Sequence, residues 1–173
     1  MDTGMESYIV PIREFVKRHK PQKGLEVGLY KGYSARAYLE SCQGELVSVD
    51  LNDDYQQEEV LLKEYPSRFK FVQTDSSTYM RCIVPETLDY IYIDGDHRYN
   101  GIKKDIEAAL PLLKEGGVLL IDDYEVDSGP ILYTGQPNGH QYGVKKAVDE
   151  LLSGYKRIDE DIRFANGAVA FKK

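Results

Sequence analysis

Apolar residues along the chain fall into short unbroken runs, separated by stretches in which they recur every three or four positions. Residues 5 to 19 show the second pattern, with Ile9, Ile12, Phe15 and Val16 at helical spacing. That stretch ends in Lys17, Arg18, His19 and Lys20, where cations suit a helix carboxyl end, and Pro21 stops it. The runs Gly24 to Leu29, Leu46 to Asp50, Phe69 to Asp75, Leu88 to Asp94 and Val118 to Ile121 predict five strands. Helical patterns fill the intervals: from about Ser34 to Ser41, over residues 54 to 65 with Pro66 as the stop, and briefly after Ser76 and Ser77. A further helix carries Ile102, Ile106, Ala109, Leu110 and Leu113 and is expected to stop at Gly116-Gly117. After it come a helix with Val144, Ala147, Val148, Leu151 and Leu152, and two strands, Tyr155 to Ile162 and Ala168 to Phe171, joined near Asn166-Gly167. Strands alternating with helices and closed by a hairpin predict an open α/β sheet of seven strands, mostly parallel, with an antiparallel carboxyl-terminal hairpin and helices on both faces.

Composition narrows this picture without redirecting it. At 173 residues, 42% apolar and 29% charged, the chain reads as one domain over 1–173, with an amino-terminal helix within 1–23. Residues 124 to 142, rich in Gly and Pro and without periodicity, form a loop placed to cover a substrate, with Tyr124, Tyr133, His140 and Tyr142 available to line a pocket. The formal charge of −7 argues against nucleic acid as a partner, because neutralising phosphates needs a basic face. Lys17, Arg18, Lys20 and Lys23 read as a solvated helix end. Cys42 and Cys82 show neither a CxxC spacing nor a framework of pairs, which fits the reducing cytoplasm. No run approaches the roughly 20 apolar residues of a membrane span, and the amino terminus lacks the order of a signal peptide.

Two constellations carry chemistry. The first follows the first strand, Glu26-Val27-Gly28-Leu29-Tyr30-Lys31-Gly32, where glycines let a ligand approach the backbone. Asp50, ending the second strand, is placed to accept hydrogen bonds from ribose hydroxyls, so a nucleoside cofactor is implied. The spacing is G-x-x-x-G, not the G-x-G-x-x-G of dinucleotide binders, and Glu26 suits a cationic ligand better than an anionic one. The alternative is that the glycine pair only makes a turn.

The second constellation is acidic. The fourth strand ends in Asp94-Gly95-Asp96-His97 and the fifth in Asp122-Asp123. Oxygen-only ligands favour a hard cation such as Mg²⁺, with Asp94, Asp122 and Asp123 as its ligands. The blander reading has Asp122 and Asp123 capping a turn while Asp94 or Asp96 caps the following helix. His97, at the start of that helix and with an ordinary pKa near neutral, is the candidate general base. Asp96 is its rival, either as base or as a group that orients His97.

Taken together, Glu-x-Gly-x-x-x-Gly, Asp50, Asp75 with Ser76 and the terminal hairpin resemble a class I S-adenosylmethionine-dependent methyltransferase with its Rossmann-like sheet. Tyr92 to Tyr99, with Leu110 to Tyr124, is similar to the small family related to macrocin O-methyltransferase and, more distantly, to catechol O-methyltransferase. On this resemblance the cofactor-binding residues are Glu26, Gly28, Gly32, Ser34, Asp50, Asp75, Ser76 and Asp94. Gly28 and its neighbours hold the methionine part, Asp50 the ribose, and Asp75 with Ser76 the adenine. The resemblance also implies metal ligands at Asp94, Asp122 and Asp123 and a base three residues past the first ligand, which is His97. The expected activity is Mg²⁺-assisted O-methylation of a small hydroxylated or sugar-containing acceptor, the chain being cytoplasmic and open to homo-oligomerisation. A metal-independent N- or O-methyltransferase and a non-catalytic nucleotide-binding module are the alternatives. The long amino-terminal helical cap of some relatives is lacking, so the acceptor is not legible in these residues.

Overall fold

The computed structural model describes residues 3–126, 142–159, 161–164 and 167–173. Its elements, in chain order, are α1 (Thr3–His19), β1 (Lys23–Val27), α2 (Tyr33–Ser41), β2 (Glu45–Asp50), α3 (Gln57–Glu64), β3 (Phe69–Gln73), α4 (Ser76–Met80), β4 (Leu88–Ile93), α5 (Tyr99–Ala109), β5 (Leu113–Ile121), α6 (Val144–Leu151), β6 (Lys156–Arg157) and β7 (Val169–Lys172). The strands form one seven-stranded sheet in the order β3-β2-β1-β4-β5-β7-β6. β1 to β5 are parallel, and β7 pairs antiparallel with both β5 and β6. The expected α/β architecture, with its antiparallel carboxyl-terminal region, is therefore present.

Strand order reverses between β1 and β4, where the chain runs outward to β3 on one side and to β5 on the other. Such a switch point opens a crevice beyond the carboxyl ends of the strands. The register aligns Val27 with Val49 and Ile93, and Ile93 with Ile121, so the acids that follow β4 and β5, and Asp50 at the end of β2, emerge along one edge.

The period of two along each strand divides the core between the faces. Tyr90 and Tyr92 of β4, with Val118 and Leu120 of β5, pack with Ile12, Phe15 and Val16 of α1 and Tyr38 of α2. Ile91, Ile93, Leu119 and Ile121 pack on the opposite face with Ile102 and Ile106 of α5 and Val148 of α6. Parity along β4 therefore assigns Asp94 to the α1 face, and parity along β5 assigns Asp122 to the same face.

Two boundaries differ from expectation. α5 ends at Ala109, not at Gly116-Gly117, and a 3₁₀ turn over Leu110–Leu112 leads straight into β5. Pro111 has no amide hydrogen to continue the helix. The carbonyls of Pro111 and Leu112 instead accept from Glu86 N and Thr87 N at 3.0 Å each, which draws Leu113 into register with Leu88. β6 is two residues long where a strand from Tyr155 to Ile162 was expected. Asp159 explains the early end: its carboxylate accepts from Ala170 N at 3.0 Å and from Arg157 Nε at 2.9 Å, so the Ala170 amide goes to a side chain and only its carbonyl, accepting Ile158 N at 2.9 Å, stays with the backbone. Asn166 of the expected hairpin turn lies outside the described residues.

Candidate active site

The loop after β1 is shaped by contacts within the protein. Gly28 has φ +92, and a Cβ there would lie 2.2 Å from the carbonyl oxygen of Asp94. The β1 and β4 ends meet this closely because Asp94 N donates to Val27 O at 2.8 Å, while Gly28 N donates to Val49 O at 2.9 Å. Asp50 holds the loop from the other side, accepting Leu29 N at 2.8 Å and Tyr30 N at 3.5 Å. Gly32, at φ +67, turns the chain into α2, and its carbonyl accepts Arg36 N at 2.9 Å. Beneath the loop Glu26 is buried and accepts the hydroxyls of Ser34, at 2.5 Å, and Ser48. Burial pushes its carboxyl up to about 8, against the two serine hydrogen bonds that favour the charged form.

Asp75 and Ser76 occupy the start of α4. The Asp75 carboxylate accepts Thr78 N and Thr78 Oγ1 at 2.8 Å each, and Ser77 Oγ at 2.7 Å, an N-cap arrangement that depresses its pKa. Ser76 Oγ donates to Asp105 Oδ1 at 2.5 Å, and burial raises the Asp105 carboxyl to about 6. On the same edge Tyr30 and Leu51 are exposed, placing apolar surface beside Asp50.

At the ends of β4 and β5 the acids converge. His97 Nε2 lies 3.1 Å from Asp94 Oδ1 and 3.5 Å from Asp123 Oδ2. Ligand atoms of Asp94, His97 and Asp123 all lie within 4.8 Å of one another. Asp123 reaches inward because its backbone is left-handed, φ +56, a strained state for a non-glycine residue. Asp122 faces the α1 side instead, where its Oδ2 accepts Tyr92 OH at 2.7 Å and Tyr8 OH at 2.9 Å, and its Oδ1 accepts Asp123 N at 2.9 Å. Tyr8 OH also lies 3.1 Å from Asp94 Oδ2 and 2.6 Å from Tyr92 OH, so the two hydroxyl protons of Tyr8 and Tyr92 are shared among these contacts. Burial, then the charge of Asp94, raises Asp122 to about 7, and burial raises Asp123 to about 6. Burial alone would lower His97, but its hydrogen bond to Asp94 and the charges of Asp94, Asp123 and Asp122 raise it overall.

Asp94, His97, Asp122 and Asp123 thus come together, while Asp96 turns away. Its carboxylate forms a bidentate pair with Arg98, Nε to Oδ1 at 2.7 Å and Nη2 to Oδ2 at 2.5 Å, and packs against Gly101, where a Cβ would lie 2.3 Å from Asp96 Cγ. Of the loop residues, Tyr142 stacks on the His97 ring at 5.4 Å with planes 12° apart. Tyr124 OH donates to Asp149 Oδ1 at 2.8 Å, and Tyr133 and His140 lie outside the described residues. Tyr8 and Tyr92 escaped the sequence reading. Tyr92 carries a local signal, since it shares parity with Asp94, whereas nothing near Tyr8 marks it as more than another apolar position of α1.

Four acids with raised pKa values set a direction for stability. Glu26, Asp105, Asp122 and Asp123 ionise near pH 4 in the unfolded chain but only between about 6 and about 8 when folded. Over that window the native state binds more protons, so unfolding free energy falls as pH rises. His97, raised when folded, acts in the same direction, and among the described residues the burial-lowered His19 opposes it. Urea midpoints of protein stripped of divalent ions are expected to fall from about pH 5.5 to about pH 8. An equal or rising midpoint contradicts this protonation pattern.

Comparison with known proteins places this geometry in a family. A family model described as a methyltransferase domain matches residues 25–124. Among solved structures, the SAH-bound methyltransferase PaMTH1 of Podospora anserina is similar at 21% identity and a TM-score of 0.68, covering 93% of this chain and 75% of that one. The 1,6-didemethyltoxoflavin-N1-methyltransferase of Burkholderia thailandensis is 18% identical with a TM-score of 0.72, covering 97% of this chain and 79% of that one. An O-methyltransferase from Bacillus cereus in complex with SAH is 15% identical with a TM-score of 0.66, covering 100% of this chain and 82% of that one. These likenesses show a shared fold, and no protein of curated function matches the sequence. The family match runs from within β1 to just past the end of β5, more than half of the chain, and on that ground the protein belongs to this family of methyltransferase domains.

Proposed function

We propose that the protein transfers a methyl group from S-adenosylmethionine to a hydroxyl oxygen of a small acceptor, assisted by a hard divalent cation, Mg²⁺ in the first instance. The observation that carries this reading is the convergence of Asp94, His97 and Asp123 within 4.8 Å at the crevice, next to the Gly28 loop. The resemblance to enzymes related to macrocin O-methyltransferase extends the proposal to sugar-containing acceptors. S-adenosylhomocysteine in the Podospora and Bacillus structures, and O-methyl transfer by the Bacillus protein, support it from outside the chain.

The residues present fit a cation. Asp94 and Asp123 offer hard carboxylate oxygens, and their ion pairs among the described residues are with His97 alone. Asp94 and Asp123 would hold the ion, with Asp122 behind them. A divalent cation supplies Lewis acidity that lowers the pKa of an acceptor hydroxyl. His97, beside Asp94 and buried under Tyr142, is placed to take the hydroxyl proton as oxygen attacks the methyl carbon and the carbon–sulfur bond breaks. Asp96 is committed to Arg98, which leaves His97 as the better base. Glu26 and the Gly28 loop flank the site of the cationic sulfonium cofactor, Asp50 its ribose side, and exposed Leu51 and Tyr30 the apolar edge for its base.

Calorimetric titration with S-adenosylmethionine and, separately, NAD tests the cofactor: binding of the first and not the second is expected. Release of S-adenosylhomocysteine from a panel of phenolic and sugar acceptors is expected to fall about a hundredfold or more after EDTA treatment and to return with Mg²⁺. No affinity for S-adenosylmethionine sinks the proposal. Turnover indifferent to EDTA replaces it with metal-independent N- or O-methylation; the Burkholderia neighbour is named as an N1-methyltransferase.

A further inference from the structure

α1 lies at the far amino-terminal side of the chain, yet one of its side chains enters the acidic site. Tyr8 packs its ring against the core on the α1 face, and its hydroxyl lies 2.6 Å from Tyr92 OH, 2.9 Å from Asp122 Oδ2 and 3.1 Å from Asp94 Oδ2; with Tyr92 as donor across the 2.6 Å contact, the one Tyr8 proton is available to Asp94. The two acids depend on it unequally. Without the Tyr8 hydroxyl, Asp122 still has Asp123 N at 2.9 Å and Tyr92 OH at 2.7 Å, whose proton is then free to go to it. Asp94 Oδ2 has Tyr92 OH only at 3.5 Å, so Tyr8 is its one close hydroxyl partner among the described residues. With Oδ2 held on the α1 side, Asp94 Oδ1 is turned toward His97 and Asp123.

We propose that Tyr8 is a positioning residue of the cation site: its hydroxyl fixes the rotation of the Asp94 carboxylate, so that α1 is part of the metal-binding apparatus and not only a covering helix. The inference rests on the divalent-cation reading above. Partners of a ligand's free oxygen set ligand orientation, and their loss commonly weakens metal binding ten- to a hundredfold. A phenylalanine at position 8 retains the ring and its packing while removing the one oxygen in question.

Mn²⁺ binding to the full chain, followed by electron paramagnetic resonance in the presence of S-adenosylhomocysteine, reads this directly. Tyr8→Phe is expected to weaken Mn²⁺ about ten- to a hundredfold, with S-adenosylhomocysteine affinity within about twofold of the wild type and an unchanged circular dichroism spectrum. Equal Mn²⁺ affinity in the wild type and Tyr8→Phe overturns the role of Tyr8 and leaves the cation reading standing. Failure of the wild type itself to bind Mn²⁺ overturns both. A second measurement needs no variant: because coupling is reciprocal, Mg²⁺ is expected to slow amide exchange in the α1 turn around Tyr8. Unchanged exchange there on saturation with Mg²⁺ also overturns the proposal.

Discussion

Replacing His97 with alanine is expected to lower methyl transfer by about 10²- to 10⁴-fold while leaving S-adenosylmethionine affinity nearly unchanged. The size follows from the environment. His97 is largely buried, stacked on Tyr142 at 5.4 Å and hydrogen-bonded to Asp94 Oδ1 at 3.1 Å, so its ring is held in one place beside the acids. Its affinity for a proton is above the ordinary imidazole value, because the hydrogen bond to Asp94 and the surrounding carboxylates outweigh the opposing effect of burial. A base works only when deprotonated, so the rate is expected to rise with pH as His97 loses its proton. Asp96→Asn provides the contrast, since that carboxylate already serves Arg98, and the smaller loss is expected there. Initial rates and calorimetric affinities for both variants decide the matter; a rate equal to the wild type in His97→Ala removes this residue as the base.

The second large effect is on stability. Gly28→Ala is expected to cost about 3–5 kcal/mol, a sizeable part of the total stability of a domain. Two terms contribute: φ +92 is a region that side chains rarely adopt, and the added Cβ would stand 2.2 Å from the Asp94 carbonyl oxygen. The obstructing atom is backbone held by the β1–β4 pairing, and moving it sacrifices the 2.8 Å bond from Asp94 N to Val27 O. Gly154→Ala is the control, because nothing lies within 4 Å of its Cβ position. Urea midpoints compare the two directly, and a loss at Gly28 no greater than at Gly154 would show that the β1–β4 crossing is looser than described.

The sheet was legible because strands buried on both faces read as short apolar runs, and because each acid marks the strand end from which it emerges. The α5–β5 boundary was misjudged because Leu110 and Leu113 fit a helical stripe equally well, and only the pairing of Leu88 with Leu113 assigns the latter to a strand. Gly28 was read as room for a ligand. Its immediate constraint is the carbonyl of Asp94, a residue far away in sequence, and no local pattern carries that information. The acids after β4 and β5 could be grouped in advance, but the side on which Asp122 emerges depends on strand parity, and the inward course of Asp123 depends on a left-handed residue. Tyr8 was out of reach for the same reason as the Asp94 carbonyl. Its partners come from β4 and β5, and only the packing of α1 on the sheet brings them near.

The crossing of β1 and β4 also bears on how the site comes into being. Gly24 pairs with Tyr90 and Val27 with Ile93, so the centre of the sheet closes a long loop containing β2, α3 and β3. Bringing such distant segments together costs chain entropy before any contact compensates, which makes this a slow kind of pairing in folding. Asp94 acquires its place against Gly28 only when that pairing forms. The acidic site therefore cannot be assembled locally from Asp94 and His97 while the rest of the chain is loose; a partly folded molecule has the residues but not the site.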